Sequence, residues 1–283
     1  MFCRQLIRTF PYRLISSVTM PVTQGARKKS GLSLKDKVVM ITGSGTGIGA
    51  ATAKAFAEEG SKVVIADVNA DNVKAMIKVC DEICNAQAIG FHVDVTNEEQ
   101  LNKMVSETVE KFGRLDVLVN NAGILTFGSL LKADVMNAFD KTLATNLRSC
   151  VYLTMIACPH LLRTQGNIIN ISSILGRSYS GDSKYMPYCV SKAGLDHFMF
   201  GAALELAPYG VRVNNVCPGP TKTEIFAKAG VNGTWEEISE SFKLNNMSEP
   251  EEIADLILYL SSYKARSITG GKFYIDRGSL LMG

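Results

Sequence analysis

Tyr188 and Lys192 stand four residues apart in a stretch of helical period, 185–207, so their side chains share one face of the predicted helix. That pairing has chemical meaning. A free phenol ionises near pH 10, and a neighbouring ammonium favours the phenolate. Bringing a phenol's ionisation down to about 7 takes about 3 pH units, or ~4 kcal/mol of preferential stabilisation. A phenol so assisted can give a proton to a carbonyl oxygen or take one from an alcohol. A Tyr-x-x-x-Lys pair is also found on ordinary helix surfaces, so its meaning depends on what surrounds it. Tyr179 and Tyr185 lie nearby, and neither has a lysine four residues on.

A second group of residues supplies that context. The run 37–42 (KVVMIT) leads straight into Thr42-Gly43-Ser44-Gly45-Thr46-Gly47-Ile48-Gly49, and a helical pattern follows at once. Glycines let a backbone turn tightly and approach a pyrophosphate without Cβ clashes. The helix start then offers free N–H groups and the positive end of a dipole to that anion. A strand–loop–helix setting is the context in which such a run binds a dinucleotide, which makes Gly43, Thr46, Gly47, Ile48 and Gly49 candidate cofactor contacts. The run 62–67 (KVVIAD) ends at Asp67. A carboxylate there accepts hydrogen bonds from the adenosine ribose hydroxyls and repels a 2′-phosphate. Thr46 adds no positive charge that would welcome that phosphate, so NAD is expected rather than NADP. Asp94, followed by Val95, closes the third strand; it either faces the adenine or caps the turn 94–97.

Strands must carry these loops, and the pattern alternates throughout the body. Strand candidates lie at 37–42, 62–67, 88–93, 115–119, 167–171, 211–216 and 272–276; helical patterns lie near 47–59, 71–84, 97–112, 134–163, 185–207 and 250–262. Strands apolar throughout belong to a parallel sheet covered on both faces. The expected fold is α/β: a single doubly wound parallel sheet of Rossmann type, flanked by helices, over residues 34–283.

Thr42-Gly-x-x-x-Gly-x-Gly49, Asn120-Asn121-Ala122-Gly123, Asn146, Ser173, Tyr188-x-x-x-Lys192 and Pro218-Gly219 occur in this order. The ordered set resembles the short-chain dehydrogenase/reductase family across residues 34–281, most closely 3-oxoacyl-carrier-protein reductases and related hydroxy-lipid dehydrogenases. The resemblance implies NAD(P)-dependent oxidation of an alcohol or reduction of a ketone, with Asn146, Ser173, Tyr188 and Lys192 as the catalytic set. In it Ser173, chosen over Ser172 because Gly176 follows three residues later, steadies the substrate oxygen. Asn146, an unusual residue for a helix interior, holds a water that links the lysine to solvent. Asn120, Asn121, Ala122 and Gly123 bound the nicotinamide side. Pro218, Gly219, Thr221 and Thr223 wrap the nicotinamide amide and pyrophosphate, and Tyr188 and Lys192 also count among the cofactor contacts. The resemblance further implies a homo-tetramer, or failing that a homo-dimer, packed through the 134–163 and 185–207 helices.

The chain departs from the family in three places. Ser149 stands where a small glycine is usual, the loop Arg177 to Lys184 is enlarged, and Asp276-Arg277-Gly278 replaces Asp-Gly-Gly. Residues 224–246 carry Ile225, Phe226, Trp235, Ile238, Phe242 and Leu244, which read as an apolar lid over an apolar substrate or as an ordinary amphipathic helix.

The chain of 283 residues has a net charge of +3, but residues 1–35 hold seven basic side chains and no acid, which leaves −4 for the rest and argues against a nucleic-acid partner. Residues 1–20, with Arg4, Arg8 and Arg13, fit a mitochondrial transit peptide or a leader without an address, the latter leaving the protein cytoplasmic. Residues 24–33 read as a linker. No run is long enough for a membrane span. The seven cysteines (Cys3, Cys80, Cys84, Cys150, Cys158, Cys189, Cys217) are scattered and read as reduced thiols, Cys189 as an ordinary buried one. His92, His160 and His197 form no metal cluster. A silent NAD-binding sensor is the competing function, although such a protein would be free to lose the catalytic set.

Overall fold

A computed structural model describes residues 32–83, 87–178, 182–230, 244 and 247–281. The leader through residue 31, Cys84, Tyr179, Trp235, Ile238 and Phe242 lie outside these residues.

Each strand is built from a short β-branched run, and each following helix covers it. In chain order these are β1 (Val38–Thr42), α1 (Gly47–Glu58), β2 (Lys62–Asp67), α2 (Ala70–Glu82), β3 (Ala88–His92), α3 (Glu98–Phe112) and β4 (Val117–Asn120). Then come α4 (Val135–Leu143), a π-helical segment (Ala144–Arg148), α5 (Ser149–Thr164), β5 (Asn167–Ile171), α6 (Met186–Leu206), β6 (Arg212–Pro218), the short α7 (Ile225–Lys228), α8 (Pro250–Ser261) and β7 (Lys272–Ile275). The strands form one seven-stranded sheet in the order β3-β2-β1-β4-β5-β6-β7, parallel at every pairing.

Alternation along β1 shows why both faces are apolar. Val39 and Ile41 pack with Phe56, Met76, Ile253 and Ile257 under α1, α2 and α8. Val38 and Met40 pack with Leu101, Met104, Leu153 and Met199 under α3, α5 and α6. Phe56 is fully buried, and burying such a side chain contributes about 1.5–3 kcal/mol.

Helix ends follow local chemistry. Asn69 caps α2 by accepting from the Asp71 and Asn72 amides, and Asn97 caps α3 by accepting from Gln100 N. Gly113 closes α3 in the left-handed conformation, at φ 73°.

Every expected strand and helix is present. One helix differs: the stretch 134–163, read as continuous, is α4 and α5 joined by the π-helical turn around Asn146. The wider turn lets Asn146 bury its side chain and hydrogen-bond a neighbouring loop. Among the described residues, no helix is long and apolar enough to cross a membrane, and no group of three or more His, Cys, Asp or Glu side chains could hold a metal.

Candidate active site

Strand order reverses at β1: β2 and β3 lie on one side and β4 to β7 on the other. In such sheets ligands bind at the carboxyl ends of the strands beside this switch point. A cavity of about 1480 Å³ opens there, lined from Gly43, Thr46, Gly47 and Asp67 at one end to Ser173, Tyr188 and Lys192 at the other.

The loop after β1 is shaped by close approach. Gly47 has φ +56°, and a Cβ on Gly49 would come within 2.2 Å of the Gly43 carbonyl oxygen. Gly49 therefore makes the loop's tight fold, and Gly43, Thr46, Gly47 and Ile48 line the cavity. At the tip of β2, Asp67 accepts from Gly45 N through Oδ2 and from Asn69 N through Oδ1, both at 2.9 Å. Thr223 reaches over the start of α1, where a Cβ on Gly47 would meet its methyl at 3.0 Å. Lys228 Nζ lies 3.5 Å from Thr46 Oγ1 and also pairs with Glu224. Pro218, Gly219 and Thr221 line the same stretch. A glycine cradle, the free end of α1 and an acid on the rim together fit a dinucleotide.

Asp94 and Val95 both line the cavity. Asp94 Oδ1 also accepts from the Thr96 amide at 2.9 Å and the Thr96 hydroxyl at 2.7 Å, so it holds the turn ahead of the Asn97 cap.

Asn120 and Asn121 divide their duties. Asn120 was expected at the nicotinamide side, but its amide is buried away from the cavity, donating to Asn170 Oδ1 at 2.8 Å and Thr154 Oγ1 at 3.2 Å. Strand alternation turns it toward α5. Asn121 lines the cavity instead, with Ala122 and Gly123. Its Nδ2 donates to the carbonyls of Thr42 and Gly43 at 2.8 and 2.9 Å, and the Asn121 and Ala122 amides both donate to Thr42 Oγ1. These bonds fasten β4 to the glycine loop. In the sequence Thr42 is marked only as the first residue of the glycine motif.

At the other end, Tyr188 and Lys192 lie on α6, 9% and 4% exposed. Lys192 Nζ sits 5.5 Å from the Tyr188 ring centroid and donates to the Ile171 carbonyl at 2.7 Å. Ser173 follows β5 and faces the cavity; its Oγ accepts from Leu175 N at 3.1 Å, which leaves the hydroxyl proton to donate. The Ser172 hydroxyl is instead given to the Lys192 carbonyl at 3.3 Å.

Asn146 is fully buried behind the loop. Its Oδ1 accepts from Ile124 N at 2.8 Å, and its Nδ2 donates to Ile124 O at 2.9 Å and to Ser191 Oγ at 3.1 Å. A Cβ on Gly123 would lie 3.4 Å from Asn146 Oδ1 and 3.6 Å from Lys192 Nζ, so these groups meet at one point. A phenol and a hydroxyl open to one cavity, backed by an ammonium, can exchange a proton with an oxygen placed between them.

Apolar side chains complete the walls. Leu125, Phe127, Leu175, Tyr185, Ile225, Phe226 and Leu280 line the cavity, and Phe127 meets Tyr185 edge-on at 5.2 Å. Of the expected lid, Ile225 and Phe226 line the cavity, while Leu244 is exposed and bonds through its amide to Arg277 O.

Comparison with known proteins gives the same picture along the chain. Residues 43–279 match the profile of the family described as enoyl-(acyl carrier protein) reductase. Meso-2,3-butanediol dehydrogenase of Serratia marcescens is 36% identical, the match covering 86% of this chain and 94% of that protein. A 3-oxoacyl-[acyl-carrier-protein] reductase of Thermotoga maritima is 33% identical, over 88% of this chain and all of that one (100%). Among solved structures, 7α-hydroxysteroid dehydrogenase in complex with NADH and 7-oxo glycochenodeoxycholic acid superimposes with a TM-score of 0.79 at 28% identity, covering 87% of this chain and 95% of that one. Likeness sustained over so much of both partners, in sequence and in backbone, makes this chain a member of the short-chain dehydrogenase/reductase family of oxidoreductases, similar to the 3-oxoacyl-carrier-protein reductases.

Proposed function

We propose that the protein is an NAD(H)-dependent dehydrogenase that interconverts a hydroxyl and a carbonyl on a small, largely apolar substrate, with Tyr188 as general acid and base. The observation that carries this reading is that Tyr188 and Ser173 face one cavity, whose far end is formed by the glycine loop and Asp67. Gly43, Thr46, Gly47, Ile48, Thr221 and Thr223 would hold the dinucleotide, and Asp67 would take its adenosine ribose hydroxyls. The nicotinamide, when bound, supplies hydride exchange with the substrate carbon. Ser173 donates a hydrogen bond to the substrate oxygen, keeping its proton, and holds that oxygen beside Tyr188. Tyr188 transfers the proton to that oxygen in reduction and removes it in oxidation. Lys192 presents its ammonium 5.5 Å from the Tyr188 ring centroid, and Asn146 ties the loop at Ile124 to Ser191, next to Lys192 on α6. The apolar walls exclude water and favour a hydrophobic substrate.

The test follows the absorbance of reduced nicotinamide with NAD(H) and NADP(H) against hydroxyacyl, sterol and simple alcohol or ketone substrates. Turnover with NAD(H) is expected, falling by about 10²–10⁴ in Tyr188→Phe. A strong preference for NADP(H) would remove the role given to Asp67.

The chain is further proposed to assemble as a homo-tetramer, with a dimer as the simpler form. Apolar side chains exposed on α5 and α6 support this, among them Met155, Phe200 and Leu204, the last 81% exposed. Sedimentation that finds only monomer at micromolar concentration would refute it. The basic residues of the leader support mitochondrial targeting; a reporter fused to residues 1–31 that stays in the cytosol would end that proposal.

A further inference from the structure

The face of α6 that carries Tyr188 and Lys192 continues one turn further to Asp196, which is 4% exposed. Its Oδ1 accepts from Asn215 Nδ2 at 2.8 Å, and its Oδ2 accepts from Lys272 Nζ at 3.3 Å. Asn215 on β6 and Lys272 on β7 are register partners. The row continues across the sheet: Asn170 Nδ2 donates to Asn215 Oδ1 at 2.9 Å, and Asn120 Nδ2 to Asn170 Oδ1 at 2.8 Å, again between register partners. A hydrogen-bonded line of side chains thus spans four strands beneath the site.

Such a row is costly to bury and would be replaceable by apolar residues if packing were its only purpose. Its direction is set at one end. An ionised carboxylate can only accept, so Asn215 must turn its nitrogen to Asp196 and its oxygen to Asn170, and the order passes on to Asn120. The charged or titratable groups around Asp196 are Lys272 on β7, Cys217 on β6, whose thiol lies 4.0 Å from Oδ1, and Lys192 on α6. Burial works against the charge on Lys272, but Asp196 and, beside Lys272 on β7, Tyr274 together outweigh it and push the ammonium's pKa up. The turn after Ser173 rests on the same spot: a Cβ on Gly176 would come 3.0 Å from the Lys192 carbonyl carbon and 3.1 Å from Asp196 Oδ2.

We propose that Asp196 is a positioning residue: held by Asn215 and Lys272, it fixes the roll of α6 and so sets where Tyr188 and Lys192 meet the substrate beside Ser173. Neither the diphosphate end nor the adenosine end of the cavity touches this row, so its effect falls on the chemical step. The proposal rests on Tyr188 and Lys192 as the reacting pair.

The experiment uses the full chain and the best substrate of the panel. In Asp196→Ala, kcat is expected to fall on the order of 100-fold, the scale of a misplacement of about 1 Å. NADH affinity, read by fluorescence titration, stays within about twofold, and the pH midpoint of kcat moves. The double variant Asp196→Asn, Lys272→Gln restores kcat to within about tenfold and returns the midpoint, because the new amide can accept from Asn215 and donate to the glutamine. If Asp196→Ala does not fold, Asn215→Leu carries the same expectations, since it cuts the row and leaves the ion pair. An unchanged kcat overturns the proposal. So does a loss of kcat with matching losses of NADH affinity and melting temperature and an unmoved pH midpoint. Tyr188→Phe runs alongside: turnover that survives there removes the reacting pair itself, whereas the Asp196 variants speak only to its positioning.

Discussion

Adjacent residues at the strand ends serve different purposes because a strand alternates its side chains. Ser172 ties β5 to the α6 backbone while Ser173 opens to the cavity, and Asn120 is buried while Asn121 fastens the glycine loop. The first division was legible in the sequence through the spacing to Gly176. The second was not, because two neighbouring asparagines at a strand end carry no sign of which one turns inward. Asp196 was also missed, since a single acid on a helix reads as solvated until its partners on two distant strands are seen. The cysteines follow burial. Desolvation, with Asp196 adding to it, pushes the Cys217 thiol up to about 12, and desolvation, with Asp81 adding to it, pushes Cys80 up to about 11; burial also raises Cys189. Because the thiolate is the reactive form, brief iodoacetamide treatment of the native chain at pH 8 is expected to leave all three unmodified by mass spectrometry. Rapid labelling of Cys189 would mean that the start of α6 opens, and would give that thiol a redox role.

At the scale of elements, periodicity located the helices and strands but not their defects. The π-helical turn at Asn146 needs one extra residue in a turn, and no hydrophobic pattern marks it. The turn after β7 is similar. Arg277 sits at φ +54°, a conformation that favours glycine, and its guanidinium grips both carboxylate oxygens of Glu252, at 2.5 and 2.6 Å. In the sequence it stands out only as a departure from Asp-Gly-Gly; here it joins the C-terminal turn to the first turn of α8. Two substitutions separate its effects. Arg277→Ala loses the ion pair and keeps the strained backbone, which costs ~1 kcal/mol or more. Arg277→Gly loses the same pair but relieves the strain. Thermal melting is expected to place the glycine variant closer to wild type than the alanine variant. The reverse order would mean that the side chain's packing outweighs the backbone.

In the whole molecule, the doubly wound architecture was legible because most strand runs are rich in Val and Ile and alternate with segments of helical period. The opposite end of the sheet carries its own polar knot. Asp116, 3% exposed, accepts from Val38 N, Lys37 Nζ and Arg114 Nε at 3.0, 2.9 and 2.7 Å. Burial pushes its carboxyl up, but Arg114, the Val38 amide and Lys37 outweigh that and hold it below the usual carboxylate range. A carboxyl depressed on folding contributes stability in full above its unfolded value, near 4, and loses it as the pH falls toward the lower folded value. Asp116→Asn is therefore expected to destabilise by ~3 kcal/mol at pH 7. The melting-temperature gap to wild type should narrow progressively as the pH falls below about 4; a gap that does not change with pH would show that the knot is held by shape and not by charge. Because this knot and the cavity occupy opposite ends of the sheet, substrate choice and robustness can be inherited separately. Wall residues such as Leu175, Ile225, Phe226 and Leu280 can be varied for new substrates while Asp116, Arg114 and Lys37 go on anchoring the scaffold, which makes this chain a suitable parent for directed evolution.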